Sequence, residues 1–351
     1  MEEVWSEQDT SPSAIEGALR ELLREQQARS DGYVPARVLN TVVIVDREWR
    51  GEIQNRLEGV GRYHPSRTIL CAVEPGRDTI DARVTMTAEG DPRPGEFALC
   101  RERVVLDLGP GHLEHLDTIV DPLVVPDIAT LVWAPHGHTE AVDSLLRLAQ
   151  VVLVDSINEP DQATAISRAR KLVEEAYVVD LAWLRSTPWR ERVASTFYPL
   201  QWRQELRRIK AVTVRHRPDS ATAGLLFFGW LATRLGWEPA HMDQEDDGLV
   251  ARCRARGRKV RLRLEADDSM PVPGLAGVAL ETASGMKLSL FRGDGGLTAT
   301  RKAPGGKESK WTVLGASRGE AGILGEGIRQ ALLRDPTYGP ALTAACEMLA
   351  S

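Results

Sequence analysis

An alternation in the first half of the chain constrains its fold more than any other feature. Short runs dense in β-branched residues recur at 38–46 (VLNTVVIVD), 68–74 (TILCAVE), 128–133 (IATLVW) and 151–155 (VVLVD). Segments of helical period are expected at 48–57, 113–121, 139–148 and 161–175, and further strands at 82–88 and 97–108, bounded by Pro, Gly and Asp turns. Apolar strands interleaved with helices predict a layered α/β domain with a mixed sheet. No GxGxxG or GxxxxGKS follows any of these strands, so neither a dinucleotide fingerprint nor a P-loop is supported and no cofactor is expected.

Three regions follow from this reading. Residues 1–35 form an N-terminal arm with an amphipathic helix, in which Ser11 caps, Pro12 suits the first turn, and Ile15, Ala18, Leu19, Leu22 and Leu23 share a stripe. Residues 36–178 form the α/β domain. Residues 179–351 begin with a Trp/Arg-rich junction and continue as a smaller α+β C-terminal domain, with a strong helix at 220–235, short strands over 249–300, a flexible basic loop at 301–310 and two closing helices.

Charge excludes some function classes. The 351 residues carry 44 Lys+Arg against 50 Asp+Glu, a net charge of -6, which argues against a nucleic-acid coat or a polybasic membrane binder. The longest apolar stretch, 224–235, contains Arg234 and falls well short of the ~20 residues a bilayer span requires. An acidic N-terminus stands where a signal peptide would be basic, so a cytoplasmic location with no membrane partner is expected. Cys71, Cys100, Cys253 and Cys346 lack metal-ligand spacing and read as buried reduced thiols.

Several constellations are candidates for chemistry. Arg62, His64, Ser66 and Arg67 stand on a turn where paired guanidinium donors suit a phosphate or carboxylate; equally, the arginines suit backbone carbonyls or neighbouring acids. His64 with Ser66 lacks a nucleophile elbow, and His112, His115, His136 and His138 match no metal spacing, so no catalytic or metal site is expected. Asp155 and Ser156 end a strand at the edge where α/β sheets bind ligands, a position that also suits an N-cap. Arg252, Arg254 and Arg256, followed after Gly257 by Lys259, Arg261 and Arg263, alternate across a hairpin, forming a basic face that lacks stacking aromatics. Nine Trp outnumber five Phe and five Tyr, and five of the nine lie between 183 and 237, the first three among arginines. Trp and Arg together are the residues that most often carry interface energy.

Five segments in register resemble the OpcA family, the glucose-6-phosphate dehydrogenase assembly proteins of actinobacteria and cyanobacteria. They are 61–67 (GRYHPSR), 121–127 (DPLVVPD), the strand ending at Asp155-Ser156, 179–185 (VDLAWLR) and 188–191 (PWRE). The resemblance implies a non-catalytic partner of glucose-6-phosphate dehydrogenase that favours its active oligomer in the oxidative pentose phosphate pathway. It also draws Asp180, Trp183, Arg185, Trp189 and Arg190 into the candidate partner- or anion-binding set, where they either organise the domain junction or contact the dehydrogenase. An enzyme or binding protein for a phosphorylated small molecule, acting through the Arg62/His64/Ser66/Arg67 turn, is the alternative.

Overall fold

The structure, a computed structural model, describes residues 2–29, 33–35, 37–61, 66–88, 98–245, 248–293, 296–314 and 319–350. The chain divides into two compact units. The first comprises 1–154 with 175–179 and 328–332, and the second 155–174, 180–327 and 333–351.

In chain order the first unit contains β1 (Glu2–Glu7), α1 (Pro12–Arg29), β2 (Tyr33–Pro35), β3 (Leu39–Asp46), α2 (Arg50–Gly61), β4 (Ser66–Val73), β5 (Asp81–Ala88), β6 (Ala98–Leu108), α3 (Leu116–Val120), β7 (Thr130–Trp133), α4 (Thr139–Leu145) and β8 (Val151–Val154). After α5 (Gln162–Glu175), β9 (Tyr177–Asp180) completes a sheet of order β1-β5-β6-β4-β3-β7-β8-β9, with β2 also paired to β6. Strands β6, β4, β3, β7 and β8 run parallel to one another, whereas β5 pairs antiparallel with both β6 and β1, so the sheet is mixed.

β3 is buried at seven successive positions from Leu39, as a strand covered on both faces must be. Its one amide side chain, Asn40, is fully buried and satisfied. It donates to the Val125 carbonyl (3.0 Å) and Thr130 Oγ1 (3.2 Å) and accepts from the Val125 amide (2.9 Å), which pins the 121–127 segment. The α1 stripe is buried at Ile15, Ala18, Leu19 and Leu22, and the helix packs on β5 within this unit.

The second unit carries α6 (Leu181–Arg185), α7 (Thr187–Phe197), α8 (Leu200–Leu206), β10 (Ile209–His216), α9 (Ala221–Leu235), β11 (Asp243–Glu245), β12 (Gly248–Ala255), β13 (Arg258–Ala266), β14 (Leu275–Thr282), β15 (Lys287–Gly293), β16 (Gly296–Lys302) and β17 (Glu308–Leu314). Two helices follow, α10 (Gly319–Leu333) and α11 (Tyr338–Leu349). The second sheet has the order β11-β12-β13-β10-β14-β15-β16-β17, and β10–β13 is its parallel pair. Val212, Val214, Leu262, Leu264, Val278 and Leu280 are buried, while the residues between them on each strand are more exposed, the period-two pattern of a sheet with one covered face.

Helix α9 is buried nearly all round and lies against both this sheet and α11. At Gly229 a Cβ would stand 2.1 Å from the Ala341 carbonyl oxygen, so only glycine lets the two helix backbones approach this closely. The β12–β13 turn, Arg256-Gly257, has positive φ at both residues (49° and 80°), the geometry of a tight hairpin.

Three expectations need correction. The basic tract at 301–310 is no open loop: β16 and β17 pair antiparallel from Gly296↔Leu314 to Lys302↔Glu308, and the glycines of the tract form their turn. The second unit is the larger, and it takes in 155–174, which were expected in the first domain. The segment at 2–7, expected only as part of the N-terminal arm, is an edge strand on β5.

Candidate functional site

The first unit answers its own charges. Arg67, from the predicted anion-binding turn, donates from Nε to Glu102 Oε2 (2.7 Å) and from Nη1 to the Leu123 carbonyl (2.8 Å). Arg37 grips the same carboxylate, with Nε 2.9 Å from Oε2 and Nη2 bonded to Oε1. The Glu102 side chain is 1% exposed. Burial opposes its charge, and the Arg37 and Arg67 hydrogen bonds outweigh that, holding the carboxyl below the usual range. The anion held by Arg67 is therefore an internal acid. Arg62 and His64 lie outside the described residues.

Ser66 bonds Thr68 (3.3 Å) and lines a cleft of about 530 Å³ beside α2. On the sheet face within it, Arg103 stands in register between Thr68 and Thr85, and Arg101 opposite Thr87. Arg103 also reaches Glu58 at 3.0 Å.

The order β6-β4-β3-β7-β8 has its switch point between β3 and β7, the crevice where doubly wound sheets hold ligands. Here the chain leaves β3 through Asp46, Arg47, Glu48 and Trp49, with no glycine among them. His138 Nε2 lies 3.0 Å from Asp46 Oδ1, and the Trp49 ring rests 5.4 Å from His136. No group of His, Cys, Asp and Glu among the described residues has metal-binding geometry. Cys71 and Cys253 are buried, which pushes the Cys71 thiol up to about 12; the Cys100 side chain lies outside the described residues.

The second unit gathers six of the predicted residues into one buried polar chain. Arg185 forks onto Asp155, Nη1 to Oδ1 and Nη2 to Oδ2, both at 2.7 Å, with the two side chains 5% and 8% exposed. This salt bridge replaces the expected N-cap role of Asp155; α5 is capped instead by Asp161, which accepts from the Thr164 amide at 2.8 Å. Asp180, the last residue of β9, caps α6 by accepting from the Ala182 amide (2.8 Å). It also accepts from the Ser156 hydroxyl and from Tyr338 (3.3 Å). Desolvation raises Asp180 to about 6 despite these bonds, and the nearby Asp155 charge adds to the rise.

Tyr338 meets Trp183 edge-on at 5.6 Å, and Trp183 Nε1 donates to Asp335 (2.8 Å). The Arg190 guanidinium lies 3.4 Å from the Trp183 ring centroid and donates to Ser186 (3.1 Å), Thr187 (2.8 Å) and the Trp183 carbonyl (3.3 Å). Burial lowers Arg190 to about 10.

This geometry removes direct recognition from the predicted tryptophans. Trp183 and Trp189 are 2% and 1% exposed, so they cannot present area to a partner; they build the helical layer that Arg185 and Arg190 lock. The sequence reading missed Asp335 and Tyr338. The 335–338 segment (DPTY) is legible as a helix start, with Asp335 accepting from Thr337 (2.8 Å), but its pairing with residues more than 150 positions earlier leaves no local signal. On the basic hairpin, Glu245 bonds both Arg252 (2.8 Å) and Arg261 (3.3 Å), so this face is partly neutralised by its own edge strand.

The two sheets and their internally answered ion pairs define the class: an α/β protein of two units, each with its own mixed sheet. The sequence comparisons name the family. Residues 58–171 match the glucose-6-phosphate dehydrogenase subunit N-terminal domain and residues 176–342 the C-terminal domain of the same subunit, so the chain belongs to the OpcA family. It is 25% identical over 240 residues to the OxPP cycle protein OpcA of Synechococcus elongatus, covering 67% of this chain and 52% of that protein. The OpcA protein of Nostoc punctiforme is 27% identical over 187 residues, or 52% and 40% of the two chains. The chain thus spans about half the length of the curated relatives it matches. Among solved structures, apo scyllo-inositol dehydrogenase from Lactobacillus casei superposes with a TM-score of 0.41 at 10% identity, over 90% of this chain and 96% of that one. No helix among the described residues is long and apolar enough to cross a membrane.

Proposed function

We propose that this chain is a non-catalytic cytoplasmic partner of glucose-6-phosphate dehydrogenase that binds the enzyme and favours its active oligomer. The observation that carries this reading is the match to both subunit domains, in order, over residues 58–342. The internal closure of its buried charges supports it. Arg67, Arg185, Asp155 and Glu102 are each held by another side chain of the same unit, which leaves them to structure rather than to substrate. A partner activates by binding the active state better than the inactive one, and moving an equilibrium from 1:99 to 99:1 takes about 10⁴-fold differential affinity. The test is to mix the chain with the dehydrogenase of its own organism and follow co-elution and the enzyme's kinetics. A shared peak with raised activity is expected; separate elution with unchanged kinetics would overturn the reading.

One observation favours a second reading, a site for a phosphorylated small molecule. The cleft beside α2 sets Arg101 and Arg103 among the hydroxyls of Ser66, Thr68, Thr85 and Thr87, donors suited to a phosphate that would displace Glu58 from Arg103, with Glu102 also in the lining. Calorimetric titration with inorganic phosphate should then show heat that Thr85→Val with Arg103→Met abolishes; absence of heat in the unaltered chain removes this reading.

A further inference from the structure

Tyr198 and Leu200 are 74% and 78% exposed, the two most exposed large apolar side chains among the described residues. They flank Pro199 at the corner between α7 and α8, so they form one apolar tip rather than two scattered residues. The tip is held firmly. Pro199 has fixed φ and caps α8, and Arg203 turns back to donate from Nε to the Tyr198 carbonyl (2.9 Å) with its guanidinium 5.3 Å from the Tyr198 ring. Beneath it Phe197 is 2% exposed, and buried Glu205 accepts from Ser284, tying α8 to the turn after β14.

The exposed charges that α8 carries beside the tip are positive: Arg203 and Arg207 are exposed, while Arg208, also exposed, pairs at 3.3 Å with buried Glu205, the one acid between 198 and 208. A pre-organised aromatic and aliphatic pair on a helix that also exposes Arg203 and Arg207 is the chemistry of an interface anchor, because little ordering entropy is lost when it docks. A second copy of the chain is a poor occupant, since a two-fold contact here would press these arginines against their own counterparts.

We infer that the Tyr198-Pro199-Leu200 corner is the surface that docks into an apolar socket rimmed by carboxylates on the partner protein. This rests on the dehydrogenase reading above and names the surface that reading requires.

The experiment measures the affinity of the full chain for the dehydrogenase, unaltered and as Tyr198→Ser with Leu200→Ser. Both side chains are exposed, so thermal unfolding should be unchanged while affinity falls by at least about 30-fold. Arg207→Glu should slow association and flatten its salt dependence. A double variant that binds as tightly as the unaltered chain overturns the docking surface and leaves the function standing. No complex with the unaltered chain overturns both. Concentration-dependent self-association that the double variant loses would overturn the assigned occupant in favour of a second copy.

Discussion

Each unit buries a carboxylate, and the two are stabilised in opposite ways. Glu102 in the first unit is met by two guanidiniums, and its pKa is lowered although burial alone would raise it. Asp180 in the second receives hydroxyls and amides but no cation, and burial raises it to about 6. Around Asp180 the neutral donors do not outweigh the cost of burial, whereas the two guanidiniums on Glu102 do. Unit one therefore keeps a neutralised charge, and unit two keeps an acid that neutral pH ionises against its surroundings.

The largest expected effect comes from breaking the first arrangement. Glu102→Gln strands the two mostly buried arginines and should destabilise the protein by about 4 kcal/mol at pH 7, read as a fall in the urea midpoint. The contribution of Glu102 is fully present above its ordinary 4.5 and is lost as pH falls through its lowered value, so the gap between variant and parent should close in acid. Arg185→Met leaves Asp155 nearly buried without its fork and should cost about 3 kcal/mol by the same measurement.

The third effect is smaller and opposite in sign. The folded state holds the Asp180 proton more tightly than the unfolded chain, whose value is near 3.8, so this group's contribution falls as pH rises from there through about 6. Asp180→Asn keeps the Ala182 cap through its carbonyl oxygen and should gain about 1 kcal/mol at pH 8, fading below pH 4. A loss of stability at pH 8 would show instead that the ionised Asp180 is already fully compensated.

Much of the first unit was legible in the linear chain. The run at 38–46 lies on β3, and its continuous burial follows from its β-branched composition. The stripe of α1 and the alternation of β12 and β13 were equally plain, because period 3.6 and period 2 are properties of neighbouring residues. The β16–β17 hairpin was not legible: a Gly- and Lys-rich tract carries the same local signals whether or not its flanks pair. Strand-end position brought Asp155 and Ser156 into view and motif resemblance added Asp180, Trp183, Arg185 and Arg190, and all six join one buried chain.

What resemblance could not supply was their depth. A Trp/Arg-rich segment reads the same on a surface or in a core, since composition carries no information about what will cover it. Periodicity, charge balance and the ordered motifs were enough to decide the α/β class and the family. That Trp183 and Trp189 turn inward while Tyr198 and Leu200 stand out, and that Arg67 finds Glu102, was decided only when residues far apart in sequence were brought into contact. Burial and charge pairing are relations between distant segments, and no local pattern encodes them.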